Sequence, residues 1–113
     1  MLEITSAKTG STLVVSPAGR IDSTTAKAFE ESVLSLLDAV SNRVVVNLSK
    51  LEYVSSAGLR VFLTTAKKAK SLGGALTMCS AQPSVREVFE ISGFANLFGM
   101  HASIDDACAT LKG

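Results

Sequence analysis

Val44-Val45-Val46-Asn47-Leu48-Ser49-Lys50-Leu51-Glu52-Tyr53-Val54-Ser55-Ser56-Ala57-Gly58-Leu59-Arg60 is the stretch on which the fold turns. Its consecutive β-branched residues, extending toward Leu48, suit a central strand covered on both faces. Ser49 to Tyr53 then form a short connection. A helix is predicted to start at Ser56 or Ala57, because Leu59, Phe62, Leu63, Ala66 and Ala69 recur at steps of three and four and make one apolar stripe. Gly73-Gly74 ends that helix.

On the N-terminal side, Leu2-Glu3-Ile4-Thr5 alternates apolar and polar residues as a half-buried strand does. Thr9-Gly10-Ser11 is turn chemistry, and Thr12 to Ala18 is a second strand, so the two are expected to form a hairpin, or at least to be neighbours in one sheet. Gly19-Arg20-Ile21-Asp22 leads away from it. Ser23-Thr24-Thr25 supplies capping residues for a helix whose inward face is Ala26, Phe29, Val33, Leu36, Leu37 and Val40. Asn42-Arg43 breaks that pattern before the valine run.

On the C-terminal side, Ala75 to Cys79 is a strand, and Pro83 suits the first turn of a helix with Val85, Val88, Phe89 and Ile91 inward. Gly93 stops it. Phe94 to Phe98 is expected to be a short edge strand. Ser103-Ile104-Asp105-Asp106 resembles a capping box and opens a last helix carrying Ile104, Ala107, Cys108 and Leu111. Two strands followed by alternating helix and strand predict one α/β domain over residues 1–113. Its sheet is mixed and mostly parallel, with roughly four or five strands and about four helices.

Composition narrows the function. At 47% hydrophobic the chain has ample material for one core, and with 5% aromatic residues and no Trp that core is built from Val, Leu, Ile and Ala. Lys plus Arg is 11 against 10 for Asp plus Glu, so the basic excess expected of a phosphate-binding nucleic-acid surface is missing. Lys67, Lys68 and Lys70 fall at the end of the second helix, where cations complement the dipole. Cys79 and Cys108 lack metal-ligand or CxxC spacing and read as half-buried free thiols in a reducing compartment. His101, a loop residue by this reading, cannot complete a His-rich metal site. No metal or cofactor is expected. Met1 to Thr5 holds no basic segment followed by an apolar run, and no apolar stretch approaches the roughly 20 residues that cross a bilayer. A cytoplasmic protein without membrane insertion is expected.

Chemistry concentrates where the valine strand gives way to the second helix. The first turn of a helix leaves backbone N–H groups without intrahelical partners and carries partial positive charge. A serine there serves as a cap, which is the ordinary role of Ser55 or Ser56. A phosphoserine there would add about −1.5 to −2 charge where the dipole tolerates it, changing an exposed surface without unfolding the domain. Gly58, costing about 1 kcal/mol relative to Ala inside a helix, hints at a close backbone approach. These residues alone leave the function open.

Asn47-Leu48-Ser49, Leu51-Glu52-Tyr53-Val54 and Ser55-Ser56-Ala57-Gly58-Leu59-Arg60 together resemble the signature of STAS-domain anti-sigma factor antagonists, or anti-anti-sigma factors. Gly19-Arg20-Ile21-Asp22 resembles that family's Gly-x-Leu-Asp segment, and residues 2 to 111 fit its element order. The resemblance implies a single STAS-type domain that binds an anti-sigma factor, itself a serine kinase, and so frees a sigma factor. The kinase would phosphorylate the domain and end the complex, and a PP2C-type phosphatase would restore it. The family's phosphoacceptor falls on Ser56, with Ser55 as second choice. Ser55 stands where members usually carry Asp, and Asn47 likewise; Asn47 also fits an ordinary turn residue. The implied partner surface comprises Asp22, Ser23, Ser55, Ser56, Ala57, Gly58 and Arg60. Asp22 equally suits a helix-start carboxylate and Arg60 a solvated side chain.

Two other readings are carried. One is a STAS scaffold without phosphorylation, such as an accessory subunit of a membrane transporter or signalling complex. The other is a small serine hydrolase using Ser56, against which Ser55-Ser56-Ala57-Gly58 is no Gly-x-Ser-x-Gly elbow and the lone histidine is distant. Asp105-Asp106 looks like helix-cap chemistry, not an acid/base pair, and no Gly-rich phosphate loop is present. No catalytic residue is assigned.

Overall fold

The computed structural model describes residues 2–111. In chain order the elements are β1 (Leu2–Thr9), β2 (Thr12–Ile21), α1 (Ala26–Leu36), β3 (Arg43–Asn47), β4 (Leu51–Val54), α2 (Ser56–Ser71), β5 (Ala75–Cys79), α3 (Pro83–Ile91), α4 (Phe94–Phe98), β6 (Met100–His101) and α5 (Ile104–Leu111). One sheet runs β1-β2-β3-β5-β6, with β4 also paired to β2. The β1–β2 hairpin is antiparallel and every other pairing is parallel, giving the mixed, mostly parallel sheet that the pattern predicts.

The valine run sits at the centre. Val44 and Val46 join Leu13, Val15, Leu76 and Met78 against one layer of helices, while Val45, Val14 and Cys79 meet Ala107 of α5 on the opposite face. Burial on both sides explains why no polar residue interrupts the run. Few aromatics are available, and all five Phe side chains are linked edge to face in the order Phe29, Phe62, Phe89, Phe98, Phe94. Phe62 is the hub, with ring centroids 5.4 Å from Phe29 and 5.5 Å from Phe89. Such pairs add about 0.5–1.5 kcal/mol beyond their burial.

Several local expectations change. Helix α1 stops at Leu36, short of Val40, which is 80% exposed. The Asp38 carboxylate takes hydrogen bonds from the backbone N–H groups of Val40 (2.8 Å) and Ser41 (2.6 Å), offering the chain a turn in place of further helix. Phe94 to Phe98 is helix α4, not an edge strand; Phe94 and Phe98 stack at 5.6 Å as neighbours one turn apart. Ile91 is exposed where an inward position is predicted. His101 lies on β6, not in a loop, in register with Cys79. Strand β2 runs on through Ile21 instead of ending at Ala18, and its added length pairs with β4, which replaces the connection expected at Ser49 to Tyr53.

Phe62→Ala removes the hub of the ring chain and leaves a cavity, so it is expected to destabilise by about 3–5 kcal/mol in urea unfolding. Val40→Ser, on the exposed turn, is expected to stay within about 0.5 kcal/mol of the parent.

Candidate functional site

The site is built where β2 ends beside the β4–α2 junction. Parallel pairing sets Arg20 opposite Tyr53 and Ile21 opposite Val54, and the Ser55 N–H extends the ladder by donating to the Ile21 carbonyl at 2.8 Å. Helix α2 therefore starts directly against the end of β2. Only glycine allows that approach at position 58, since a Cβ there would lie 2.7 Å from Ile21 Cγ2 and 2.8 Å from Val54 Cγ2. The close contact anticipated from Gly58 is present.

The two serines take different roles. Ser55 is the N-cap, with extended backbone (φ −94°, ψ 176°), and its Oγ accepts from the Gly58 N–H at 3.3 Å. Its hydroxyl is half-buried and turned toward the helix. Ser56 is the first residue inside the helix and is exposed. Ala57 packs against the core, Gly58 is buried, and Arg60 is exposed one turn beyond Ser56.

Asp22 organises the neighbouring loop. Its Oδ1 accepts from the Thr24 hydroxyl (2.6 Å) and the Thr24 N–H (2.9 Å). Thr25 holds the N-cap position of α1 without a side-chain cap bond; its hydroxyl accepts from the Asp22 N–H and donates to the Arg20 carbonyl, each at 2.9 Å. Capping by Ser23-Thr24-Thr25 is thus replaced by a turn centred on Asp22, and Ser23 stands exposed beside it. The Thr24 hydroxyl, then the Thr24 N–H, hold the Asp22 carboxyl below its ordinary value of 3.8, with smaller help from Arg20. Asn47 Oδ1 accepts from the Ser49 N–H at 3.1 Å, the turn role available to it.

The sequence reading does not single out Arg20 and Tyr53. The guanidinium lies over the Tyr53 ring, 4.4 Å from its centroid, with Nε 3.9 Å from Asp22 Oδ2. The pair arises from strand register, which places Arg20 across from Tyr53. The only local signal is an Arg two residues before an Asp, the spacing that puts both on one face of a strand. Asp22, Ser23, Ser55, Ser56 and Gly58 are brought together with these two at one end of the sheet. His101, on β6, is separated from β2 and β4 by β3 and β5. Among the described residues no group of His, Cys, Asp or Glu side chains is arranged to hold a metal, and no helix is long and apolar enough to cross a membrane.

Residues 3–107 match the STAS domain family. The chain belongs to that family. BtrV of Bordetella bronchiseptica, which carries the name of an anti-sigma factor antagonist, is 39% identical over 98% of this chain and 96% of its own length. An anti-sigma factor antagonist from Mycobacterium paratuberculosis superposes with a TM-score of 0.89 at 23% identity, covering 100% of this chain and 96% of that one. The Bacillus cell fate determinant SpoIIAA in its phosphorylated form gives 0.72 at 18% identity, covering 97% and 100%. At those identities the two structures establish that this STAS chain shares their fold.

Two outcomes follow from the geometry. Ser55→Ala deletes the cap and is expected to cost about 1 kcal/mol in urea unfolding, whereas Ser56→Ala stays within about 0.5 kcal/mol. Because folding lowers the Asp22 pKa, its contribution to stability is complete above the unfolded value near 3.8 and is lost as pH falls through the folded value. Parent and Asp22→Asn stabilities, measured from pH 6 down to about pH 2, are therefore expected to converge at the acid end.

Proposed function

We propose that this chain is an anti-sigma factor antagonist: a cytoplasmic, non-enzymatic switch that acts by exchanging protein partners. Unphosphorylated, the surface formed by Asp22, Ser23, Ser55, Ser56, Ala57, Gly58 and Arg60 binds an anti-sigma factor that is also a serine kinase, and a sigma factor is freed. Phosphorylation of Ser56 ends the complex, and a PP2C-type phosphatase restores it. Transcription dependent on that sigma factor is the output.

The observation that carries this reading is the contrast between the two hydroxyls. Ser55 is occupied as a cap, whereas Ser56 is exposed at the first helical position, where a kinase has access to its Oγ. A phosphate at that position adds about −1.5 to −2 charge beside a positive helix end, so the helix survives while the surface changes sign locally. The names of the relatives support the antagonist role, and the phosphorylated state of SpoIIAA supports a modification switch on this fold. The Arg20–Tyr53 stack enlarges the docking surface with two residue types common at binding hot spots.

Incubation with ATP and the cognate anti-sigma kinase is expected to add one phosphate by intact mass. Ser56→Ala abolishes the addition and Ser55→Ala retains it. Addition lost in Ser55→Ala but kept in Ser56→Ala would overturn the assignment. Capture of transporter subunits with no phosphate transfer would replace the switch by the scaffold reading.

A further inference from the structure

We infer that Arg60 is the intramolecular partner of the phosphate once Ser56 carries one, so that a single modification masks a hydroxyl and ties down a cation on the same docking face. The inference rests on Ser56 being the phosphoacceptor. Ser56 and Arg60 are four residues apart in α2 and both are exposed, while Gly58, Leu59 and Phe62 turn inward. Residues at that spacing are surface neighbours, with Cβ atoms about 5–6 Å apart. The order is the favourable one, with the anion on the N-terminal side of the cation. A phosphate offers three acceptor oxygens to the forked donors of a guanidinium, which suits a bidentate contact.

The competing cation is Arg20, and it is already engaged. Its guanidinium rests on the Tyr53 ring at 4.4 Å and its Nε is 3.9 Å from Asp22, whose carboxylate is itself fixed by Thr24. The ion pairs among the described residues are Arg20–Asp22 and Arg86–Glu90, and Arg60 belongs to neither. Asp22 and Glu52 are anionic and do not compete for a phosphate. The cations Lys27, in the first turn of α1, and Lys50, ahead of β4, belong to other elements and lack the one-turn spacing from Ser56 that Arg60 has. Unphosphorylated, the domain offers Arg60 to a partner. Phosphorylated, it spends that cation on itself, so the partner meets a closed ion pair where it met a hydroxyl and a guanidinium.

The test uses the full chain with phosphoserine installed genetically at position 56, which requires no kinase. The second ionisation of the phosphate is followed by phosphorus NMR in the parent and in Arg60→Gln, Arg60→Lys and Arg20→Gln. Arg60→Gln is expected to raise that pKa by about 0.3 pH unit. Arg60→Lys, which keeps the charge and loses the fork, gives a smaller rise than Arg60→Gln. Arg20→Gln leaves the pKa unchanged, and the Arg60→Gln difference disappears near 1 M salt, where the Debye length is about 3 Å. An unchanged titration in Arg60→Gln, or a rise produced by Arg20→Gln instead, overturns the inference. Either result leaves the kinase assignment of Ser56 standing, and a failure of kinase labelling leaves this titration able to decide for or against Arg60.

Discussion

Gly58 packs so tightly against Ile21 and Val54 that no β-carbon fits between helix α2 and the end of β2. From that contact the rest of the site follows. The helix start is pinned to the sheet, the Ser55 N–H completes the β2 ladder, and the Ser55 hydroxyl is drawn in to cap the Gly58 N–H. Ser56, the next residue, is exposed. The buried scaffold of Val44, Val46, Phe62 and their neighbours bears on one side of this junction, and the other side remains open.

The consequence is a division of labour among adjacent hydroxyls. A hydroxyl committed to a cap stabilises the helix and resists modification without cost to the fold. One at the first helical position contributes little to folding and is free to change chemistry. Asp22 plays a similar supporting part nearby, spending its carboxylate on Thr24 and leaving Arg20 seated on Tyr53. Under the proposed function, stability and signalling are carried by different side chains within a few residues of each other.

The valine strand, α2 with its caps, the hairpin and the proline-led α3 were legible because each has a strong periodic or punctuating signal. The end of α1 was not: its apolar spacing continues to Val40, and only the Asp38 side chain, bonding locally, stops the helix. Phe94 to Phe98 is apolar at four of five positions, too short a run for periodicity to separate strand from helix, and Phe94 and Phe98 end up one helical turn apart. Strand β4 is short and polar in its middle, and it exists because β2 runs beyond β3 and offers free backbone groups. Of the site, Ser55, Ser56 and Gly58 were marked in sequence by helix-start chemistry, whereas Asp22, Arg60 and the choice of Ser56 as acceptor entered through the family resemblance. The Arg20–Tyr53 stack was hidden, since it depends on strand register across more than thirty positions.

The central claim is that a dianion at position 56 alters what docks on the domain and leaves folding alone. The most direct measurement is urea unfolding of the chain carrying phosphoserine at that position beside the unmodified chain. The account predicts free energies within about 0.5 kcal/mol of each other. A loss above about 2 kcal/mol would contradict it, placing the phosphate's effect in the fold and not on its surface.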